Sequence, residues 1–238
     1  MRTRGGAGVL GVLLAPLVAA LTSCAVLPST PSSTPHSAPD SARADHGLEP
    51  RAEAQERLAG LRTGDRAHPD DYDRDAFGSA WADTDDNGCN QRDDVLLRDA
   101  VAGTARVGQQ GACDHDVLAG TWVDPYTGTT IVLDDLKDLA QAQAVQIDHV
   151  VPLSEAWASG ADRWDGDERR TYANDLRNLL AVDGPTNAGK GDDDPAAWRP
   201  RQAYQCAYAV RWVRVKSRYD LAADPSEVRA LREMLDRC

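Results

Sequence analysis

Apolar residues recur at helical spacing in several polar segments of the chain, and this pattern predicts helices there. Residues 51–62 and 93–102 each place leucine or valine on one side of a charged stretch. A longer amphipathic helix is expected over 204–219, and a last one over 225–237. The chain is therefore expected to be helical on both sides of its middle third.

The middle third is richer in β-branched residues and in turn formers. Residues 117–133 predict a hairpin, because Thr121–Val123 and Thr129–Val132 flank the Pro/Gly turn 124–128. A short helix is expected over 136–141. Together with the flanking helices, these elements indicate the α+β class.

A second strand-like run contains a polar pair, Asp148-His149, near its end. The run is Gln146-Ile147-Asp148-His149-Val150-Val151, and Pro152 stops it. A helix with Ser154 as its N-cap follows, and residues 169–180 predict another helix that carries Asn178. Upstream, residues 70–81 are rich in turn formers, and Trp81 is expected to anchor them to the core.

The first 50 residues differ from the rest in composition. Residues 1–23 resemble an export signal, with two arginines before an apolar run too short for a membrane span. Leu21-Thr22-Ser23-Cys24 resembles a bacterial lipobox, which favours lipidation of Cys24 over ordinary secretion with a free cysteine. Residues 24–50 predict a flexible Ser/Thr/Pro-rich tether, and residues 51–238 one domain.

The cysteines agree with export. Without Cys24 an even set of four remains, which in an exported domain indicates two disulfides. Three pairings are possible; local loop closure favours Cys89–Cys113 and Cys206–Cys238.

The charge limits the kind of nucleic-acid binding. The chain carries a net charge of -12, which argues against a tight, non-specific nucleic-acid binder. Residues 195–219 contain basic but no acidic side chains. This segment, which includes Arg199, is either a solvated helix face or a phosphate-facing patch.

The polar residues at and after the second strand have the chemistry of phosphodiester cleavage. His149 is a base that is neutral near pH 7, and Asp148 offers an anionic oxygen. Asn187 offers a carbonyl oxygen, and two oxygen ligands with waters suit Mg²⁺ or Mn²⁺ better than zinc. Asn178, among leucines, is expected to pin the loop that carries His149; Lys190 is expected either to contact a phosphate or to cap carbonyls.

These residues resemble the HNH nucleases of the ββα-metal class. More narrowly, the chain resembles exported actinobacterial proteins related to the C-terminal domain of GmrSD-type restriction endonucleases. Motifs that carry this narrower likeness are Phe77-Gly78, Asn87-Gly88-Cys89, Asp124-Pro125-Tyr126-Thr127-Gly128 and Asp194-Pro195-Ala196-Ala197-Trp198. The likeness implies a ββα-metal core at about 145–200, with His149 activating water, Asn178 fixing the loop, and Asp148 and Asn187 holding the metal. Asn187 stands where the commoner residue is His.

A second acidic segment, residues 83–94, has two interpretations. Its Asp and Asn spacing resembles the start of a calcium loop, with Asp94 at position twelve. The usual Glu is absent there and Cys89 lies inside, which favours a disulfide-braced turn. By family analogy, Arg92 is expected to reach substrate phosphate.

The expected function is a metal-dependent endonuclease outside the cytoplasm. Its partner is a nucleic-acid substrate that binds weakly, its membrane contact is a lipid anchor only, and no protein partner is evident. The alternative is a non-catalytic cell-envelope lipoprotein that uses the same scaffold as a binding module. The acidic charge and the tether favour that alternative, and the complete set of site residues counts against it.

Overall fold

The structure is a computed structural model that describes residues 50–67 and 69–238. The expected export signal, the lipidation site Cys24 and the tether up to residue 49 lie outside these residues. Within the described part of the chain, no helix has the length and apolar character needed to cross a membrane.

Helices make up most of the regular structure. Their bounds are α1 Arg51–Gly60, α2 Gln91–Asp99, α3 Leu139–Ala142, α4 Leu153–Ser159, α5 Gly166–Ala173, α6 Gly184–Lys190, α7 Gln205–Arg218 and α8 Pro225–Leu235. Short 3₁₀ turns occur at Pro69–Asp71, Arg74–Phe77, Ala161–Arg163 and Gln202–Tyr204.

The strands form two small antiparallel sheets. The first sheet has the order β1 (Arg106–Gln110), β2 (Cys113–Val123) and β3 (Thr130–Leu133). The second pairs β4 (Val145–His149) with β5 (Leu179–Asp183). Helix α6 follows β5 directly, so the second sheet and α6 form a strand–strand–helix unit.

The second sheet lies between two hydrophobic cores. Leu180 and Val182 pack into a core with residues of α1, α7 and α8. Leu179 and Ala181, which alternate with them, pack into a core around Trp122 and α2. Because successive strand residues face opposite ways, β5 contributes to both cores, whereas β4 contributes Val145 and Ile147 to the second core.

Most predicted elements are confirmed, and the α+β class with them. The helices near both ends, the hairpin and the strand that ends at His149 are present. Strand β1 was not predicted. The expected N-cap at Ser154 is wrong, because Pro152 occupies that position and Ser154 lies inside the first turn of α4.

The helix predicted over 169–180 is wrong in its second half. Helix α5 ends at Ala173, and residues 179–183 form β5, which pairs with β4 from His149↔Leu179 to Val145↔Asp183. The apolar run Leu179-Leu180-Ala181-Val182 is buried on both faces, and such a short run has the same periodicity in a strand as in a buried helix. Pairing with β4 decides between the two.

Both expected disulfides are present in the structure. Cys89–Cys113 joins the loop before α2 to the start of β2. Cys206–Cys238 joins the first turn of α7 to the residues after α8.

Candidate active site

The end of β4 directs Asp148 and His149 to opposite faces of the second sheet. Asp148 pairs with Leu180, which packs in the first core, and His149 pairs with Leu179, which packs in the second. The backbone is regular here, so the two side chains meet different surroundings.

One ring nitrogen of His149 makes a hydrogen bond that holds the imidazole in place. Its Nε2 lies 2.8 Å from the carbonyl oxygen of Ala173. A carbonyl oxygen only accepts, so Nε2 carries the proton and Nδ1 of the neutral ring keeps its lone pair. Burial, together with the smaller effect of the positive charges of Arg74 and Lys190, lowers the pKa of His149 to about 4 against the opposing hydrogen bond to Ala173. The imidazole is therefore neutral near pH 7.

Trp81 covers the imidazole of His149. The two rings are stacked, with centroids 5.9 Å apart and planes inclined by 12°. Trp81 has a positive φ of 60°, which a bulky side chain rarely adopts. The packing around His149 thus includes a locally strained residue, as is common at functional sites.

Asp148 lies in a buried cage. Its Oδ2 accepts a hydrogen bond from the Tyr126 hydroxyl at 2.5 Å, and its Oδ1 accepts one from Lys190 Nζ at 3.0 Å. Burial raises the pKa of Asp148, while Lys190 and the Tyr126 hydroxyl oppose that rise.

Asn178 fixes the turn after His149. Its side chain accepts from the Val151 amide at 2.9 Å and donates to the Val151 carbonyl at 3.0 Å. Its own carbonyl accepts from the Val150 amide at 2.8 Å. The side chain is fully buried, so these bonds satisfy a polar group that water cannot reach.

Helix α6 brings Asn187 to the same place. Its Nδ2 donates to Gln146 Oε1 at 3.0 Å. Asn187 lines a cleft of about 160 Å³ together with Asp148, His149, Arg74 and Asp192. The structure therefore brings together three of the predicted site residues around one opening, and the fourth, Asn178, holds the loop behind it.

Comparison with known proteins identifies the family. A model of the family described as "GmrSD restriction endonucleases, C-terminal domain" matches residues 90–234. The chain belongs to this family.

A relative extends the likeness beyond the matched residues. It is described as an uncharacterized secreted protein of Arthroderma benhamiae, and it is 41% identical over 188 residues, which cover 78% of this chain and 84% of the relative. This relative is fungal, so the narrower actinobacterial grouping stays a prediction. No solved structure matches the chain.

A divalent metal fits the donor chemistry of the GmrSD-family cleft. Asp148 and Asn187 both line it, and side-chain oxygens are the donors that Mg²⁺ and Mn²⁺ prefer. Each Asp148 oxygen accepts one of these hydrogen bonds and keeps further acceptor capacity. The Lys190 ammonium at 3.0 Å competes for Oδ1, so we expect such a cation to bind weakly.

Lys190 does not have the exposure that a phosphate contact needs. Its side chain is 0% exposed, and its Nζ donates to Asp148 Oδ1 and to the carbonyl oxygen of His149, each at 3.0 Å. The phosphate expectation is therefore corrected. The ammonium caps a carbonyl, as in the other interpretation, and also compensates a buried carboxylate.

The two arginines expected at phosphate do not line the cleft. Arg92 is the second residue of α2 and does not line the cleft, and burial lowers its pKa. Arg199 binds the Pro195 carbonyl oxygen and pairs with Glu233 at 2.9 Å. A phosphate contact by either arginine stays a prediction.

The basic segment 195–219 is used to hold the fold together. Arg201 donates to the carbonyl of Pro125, and Arg211 to that of Arg177. Lys216 is buried between two glutamates. Neither a phosphate patch nor a simply solvated helix face describes these contacts.

Arg74, Tyr126 and Asp192 are cleft or cage residues that the sequence interpretation missed. Arg74 is exposed, and with His149 it also lines a smaller recess of about 30 Å³ beside Trp81. It precedes the matched family residues, within a turn-rich stretch that gave no chemical signal. Tyr126 stands in the Asp-Pro-Tyr-Thr-Gly motif, whose sequence indicates a turn and carries the family likeness but does not indicate a contact with Asp148.

A cluster of Cys89, Cys113 and His115 is not a metal centre of the thiolate type. Their side-chain ligand atoms lie within 4.8 Å of one another. The two sulfurs are joined in a disulfide, however, and thiolates are what soft metals need. His115 instead contacts Asp94 and Asp114, each at 2.7 Å.

Proposed function

We propose that this protein is a metal-dependent HNH endonuclease that hydrolyses phosphodiester bonds outside the cytoplasm. The observation that carries the proposal is the state of His149: a neutral imidazole, bonded through Nε2 only to a backbone carbonyl, at a cleft lined by oxygen donors and Arg74. Membership of a restriction-endonuclease family supports the nuclease class.

In the proposed reaction, Nδ1 of His149 takes a proton from a water molecule. The water oxygen attacks phosphorus, the new P–O bond forms, and the bond to the leaving ribose or deoxyribose oxygen breaks. Arg74 is the exposed cation at the cleft and is assigned to the non-bridging phosphate oxygens. Asn178 keeps the loop after His149 in place through Val151.

Asp148 and Asn187 are the residues assigned to the metal, Mg²⁺ or Mn²⁺. When bound, the cation supplies positive charge for the crowded phosphate and its leaving oxygen. The order β4, β5, α6 agrees with the strand–strand–helix core of the ββα-metal class, and we assign the chain to that class.

Two observations support a location outside the cytoplasm. The Arthroderma benhamiae relative is described as secreted, and two disulfides are typical of oxidising compartments. Lipid anchoring through Cys24 remains part of the proposal.

The test is to incubate the purified protein with plasmid DNA, and separately with single-stranded DNA and RNA, plus Mg²⁺ or Mn²⁺. We expect cleavage that EDTA abolishes. We expect His149→Gln, which retains a side-chain donor for Ala173, to lower the rate by about 10²–10⁴-fold. Its thermal midpoint should stay near that of the wild type.

Full activity of His149→Gln, or full activity of the wild type in excess EDTA, would refute the assignment. Binding of nucleic acid without cleavage by the wild type would favour the binding-module alternative.

An Arg74→Gln variant should raise KM, whereas the matched change Arg163→Gln at a 62% exposed side chain away from the cleft should not.

A further inference from the structure

The cleft continues into the recess beside Trp81. Cleft and recess share Arg74, His149 and Leu153 as lining residues, and the remaining lining residues of the recess carry no charge. The recess measures about 30 Å³, which leaves room for about two water molecules. A strand of nucleic acid that leaves the cleft on this side therefore crosses the recess without placing a base inside it.

Arg170 lies against the wall of this recess. The wall includes Gly78, and the Cβ of any larger residue there would lie 3.8–3.9 Å from the side-chain carbons of Arg170. Arg170 is exposed, and within the part of the chain that the structure describes its guanidinium has no hydrogen bond or ion pair. This cation is therefore available to an anion from solution.

Helix α5, which carries Arg170, is fixed to the turn that carries Arg74. Arg169 Nε donates to the Ala76 carbonyl oxygen at 3.0 Å, and Ala76 belongs to the 3₁₀ turn Arg74–Phe77. Arg170 is the next residue on α5. The backbone positions of the two exposed arginines are therefore held relative to each other before any substrate binds.

Asn174 holds the end of the same helix against the segment of Trp81. Its Nδ2 donates to the Arg170 carbonyl oxygen at 2.9 Å, and its Oδ1 accepts from the Ala82 amide at 3.0 Å. Asn174 is buried, so water competes little for these bonds. The recess thus has a fixed frame, and Arg170 belongs to it.

We propose that Arg170 binds a second phosphate of the nucleic-acid strand whose scissile phosphate lies at Arg74. The inference rests on the proposed function, because it extends the same site by one phosphate. A guanidinium presents N–H donors in a fork that fits phosphate oxygens. Phosphate contacts position a strand without reading its sequence. The preferred substrate is therefore a strand with at least two phosphates, of any sequence, and a single phosphodiester is a poorer substrate.

Neighbouring carboxylates limit the strength of this contact. Asp73 and Asp75 flank Arg74 in sequence and are exposed, as is Glu168 near Arg170. None of these three forms an ion pair with either arginine among the described residues, so they weaken the local positive potential without neutralising it by contact. We therefore expect a contribution on the scale of one exposed ion pair.

The first experiment measures binding of a short labelled single-stranded oligonucleotide, DNA and RNA in turn, to the His149→Gln protein. Fluorescence anisotropy gives the binding constant as the salt concentration is varied. Loss of one phosphate contact to a single strand lowers the slope of log K against log salt by about 0.7. We expect this reduction when Arg170→Gln is added, with binding weaker by about fivefold. Arg170→Lys should retain most of the slope, because it retains the charge.

Arg163→Gln is the matched control. It removes one exposed arginine from the turn before α5, and Arg163 lines neither the cleft nor the recess, so the slope should not change. Thermal unfolding reports whether Arg170→Gln folds. If it does not fold, Ser79→Glu decides, because it places a negative charge on the exposed wall of the recess and should weaken binding of the oligonucleotide.

The second experiment compares cleavage of the oligonucleotide with cleavage of a dinucleoside monophosphate, which has one phosphodiester only. Arg170→Gln should raise KM for the oligonucleotide more than KM for the dinucleoside monophosphate. If the wild type cleaves neither substrate, the proposed nuclease activity fails, and the salt dependence of binding still tests Arg170. Three results would overturn the second phosphate contact: no binding of the oligonucleotide, an unchanged slope in Arg170→Gln, or an equal reduction in Arg163→Gln.

Discussion

Asp148 and Lys190 are the residues whose burial most changes the interpretation of the site. Both side chains are almost completely removed from water, and Nζ lies 3.0 Å from Oδ1. A buried pair of this kind contributes little net stability over an apolar pair, but the loss of one partner leaves a charge without compensation. Lys190 is therefore required for the stability of the fold.

Lys190→Met is expected to lower the free energy of unfolding by about 3–5 kcal/mol, because Asp148 then remains buried without its cation. Adding Asp148→Asn should recover most of the loss. Denaturant unfolding of the single and double variants measures the coupling. Arg51→Met is the matched control: its pair with Asp236 is exposed and should contribute about 0–1 kcal/mol. Equal losses at the two sites would contradict the burial argument.

Among the elements, α4, α7 and α8 meet at one buried ammonium. Lys216 Nζ lies 2.7 Å from Glu155 on α4 and 2.7 Å from Glu227 on α8. Arg66 also contacts Glu155, so Glu155 contacts two cationic side chains. The cation at Glu227 is Lys216, which Glu227 shares with Glu155. Burial raises the pKa of Glu227 to about 7, against the effect of Lys216 and with that of Glu155.

This raised pKa predicts a pH dependence of stability. The ordinary pKa is 4.5, so the folded protein binds more protons than the unfolded chain between about 4.5 and 7. The contribution to stability is complete below the unfolded value, and it is lost as the pH rises through about 7. The contribution of Glu227 should appear as a difference in thermal unfolding between the wild type and Glu227→Gln, because His149, with its pKa lowered to about 4, changes stability in the opposite direction over this range.

Glu227→Gln should remove this contribution, because the amide does not titrate and still offers an oxygen to Lys216. Glu233→Gln on the same helix is the control. Its side chain is 53% exposed, so the slope should persist. An identical pH dependence in the wild type and in Glu227→Gln would contradict the role of Glu227.

The elements also show how far sequence patterns reach. Helices α7 and α8 and strand β4 follow from periodicity, because one face of each is buried and the rest is polar. Strand β5 does not, since its residues from Leu179 to Val182 are all buried and its identity depends on a partner 30 residues earlier in the chain. Arg74 and Tyr126 reach the site only through tertiary packing, which no local spacing encodes.

On the scale of the molecule, the two disulfides brace different parts of the fold. Cys206–Cys238 encloses α7 and α8, and Cys89–Cys113 encloses α2 and β1. The bonds close loops of similar length, with separations of 32 and 24 residues, so their effects on the unfolded chain should be similar.

We expect Cys206→Ala/Cys238→Ala to lower the free energy of unfolding by about 2–4 kcal/mol. Denaturant unfolding with and without a reductant measures this. In the variant, the reductant should act only through Cys89–Cys113. If the variant is as stable as the wild type, the packing of α7 against α8 alone holds this part of the fold.

Because side chains alternate between the two faces of β4, the order of its last two residues decides the surroundings of each side chain. Asp148 enters a cage of donors, and His149 meets a carbonyl oxygen that only accepts. Transposing the pair would set a carboxylate against that carbonyl and an imidazole against an ammonium. One residue inserted within β4 ahead of the pair would have the same effect, because it exchanges the faces of all that follows. Over evolutionary time, we expect insertions to accumulate in the connection between β4 and β5, and to be rejected inside either strand.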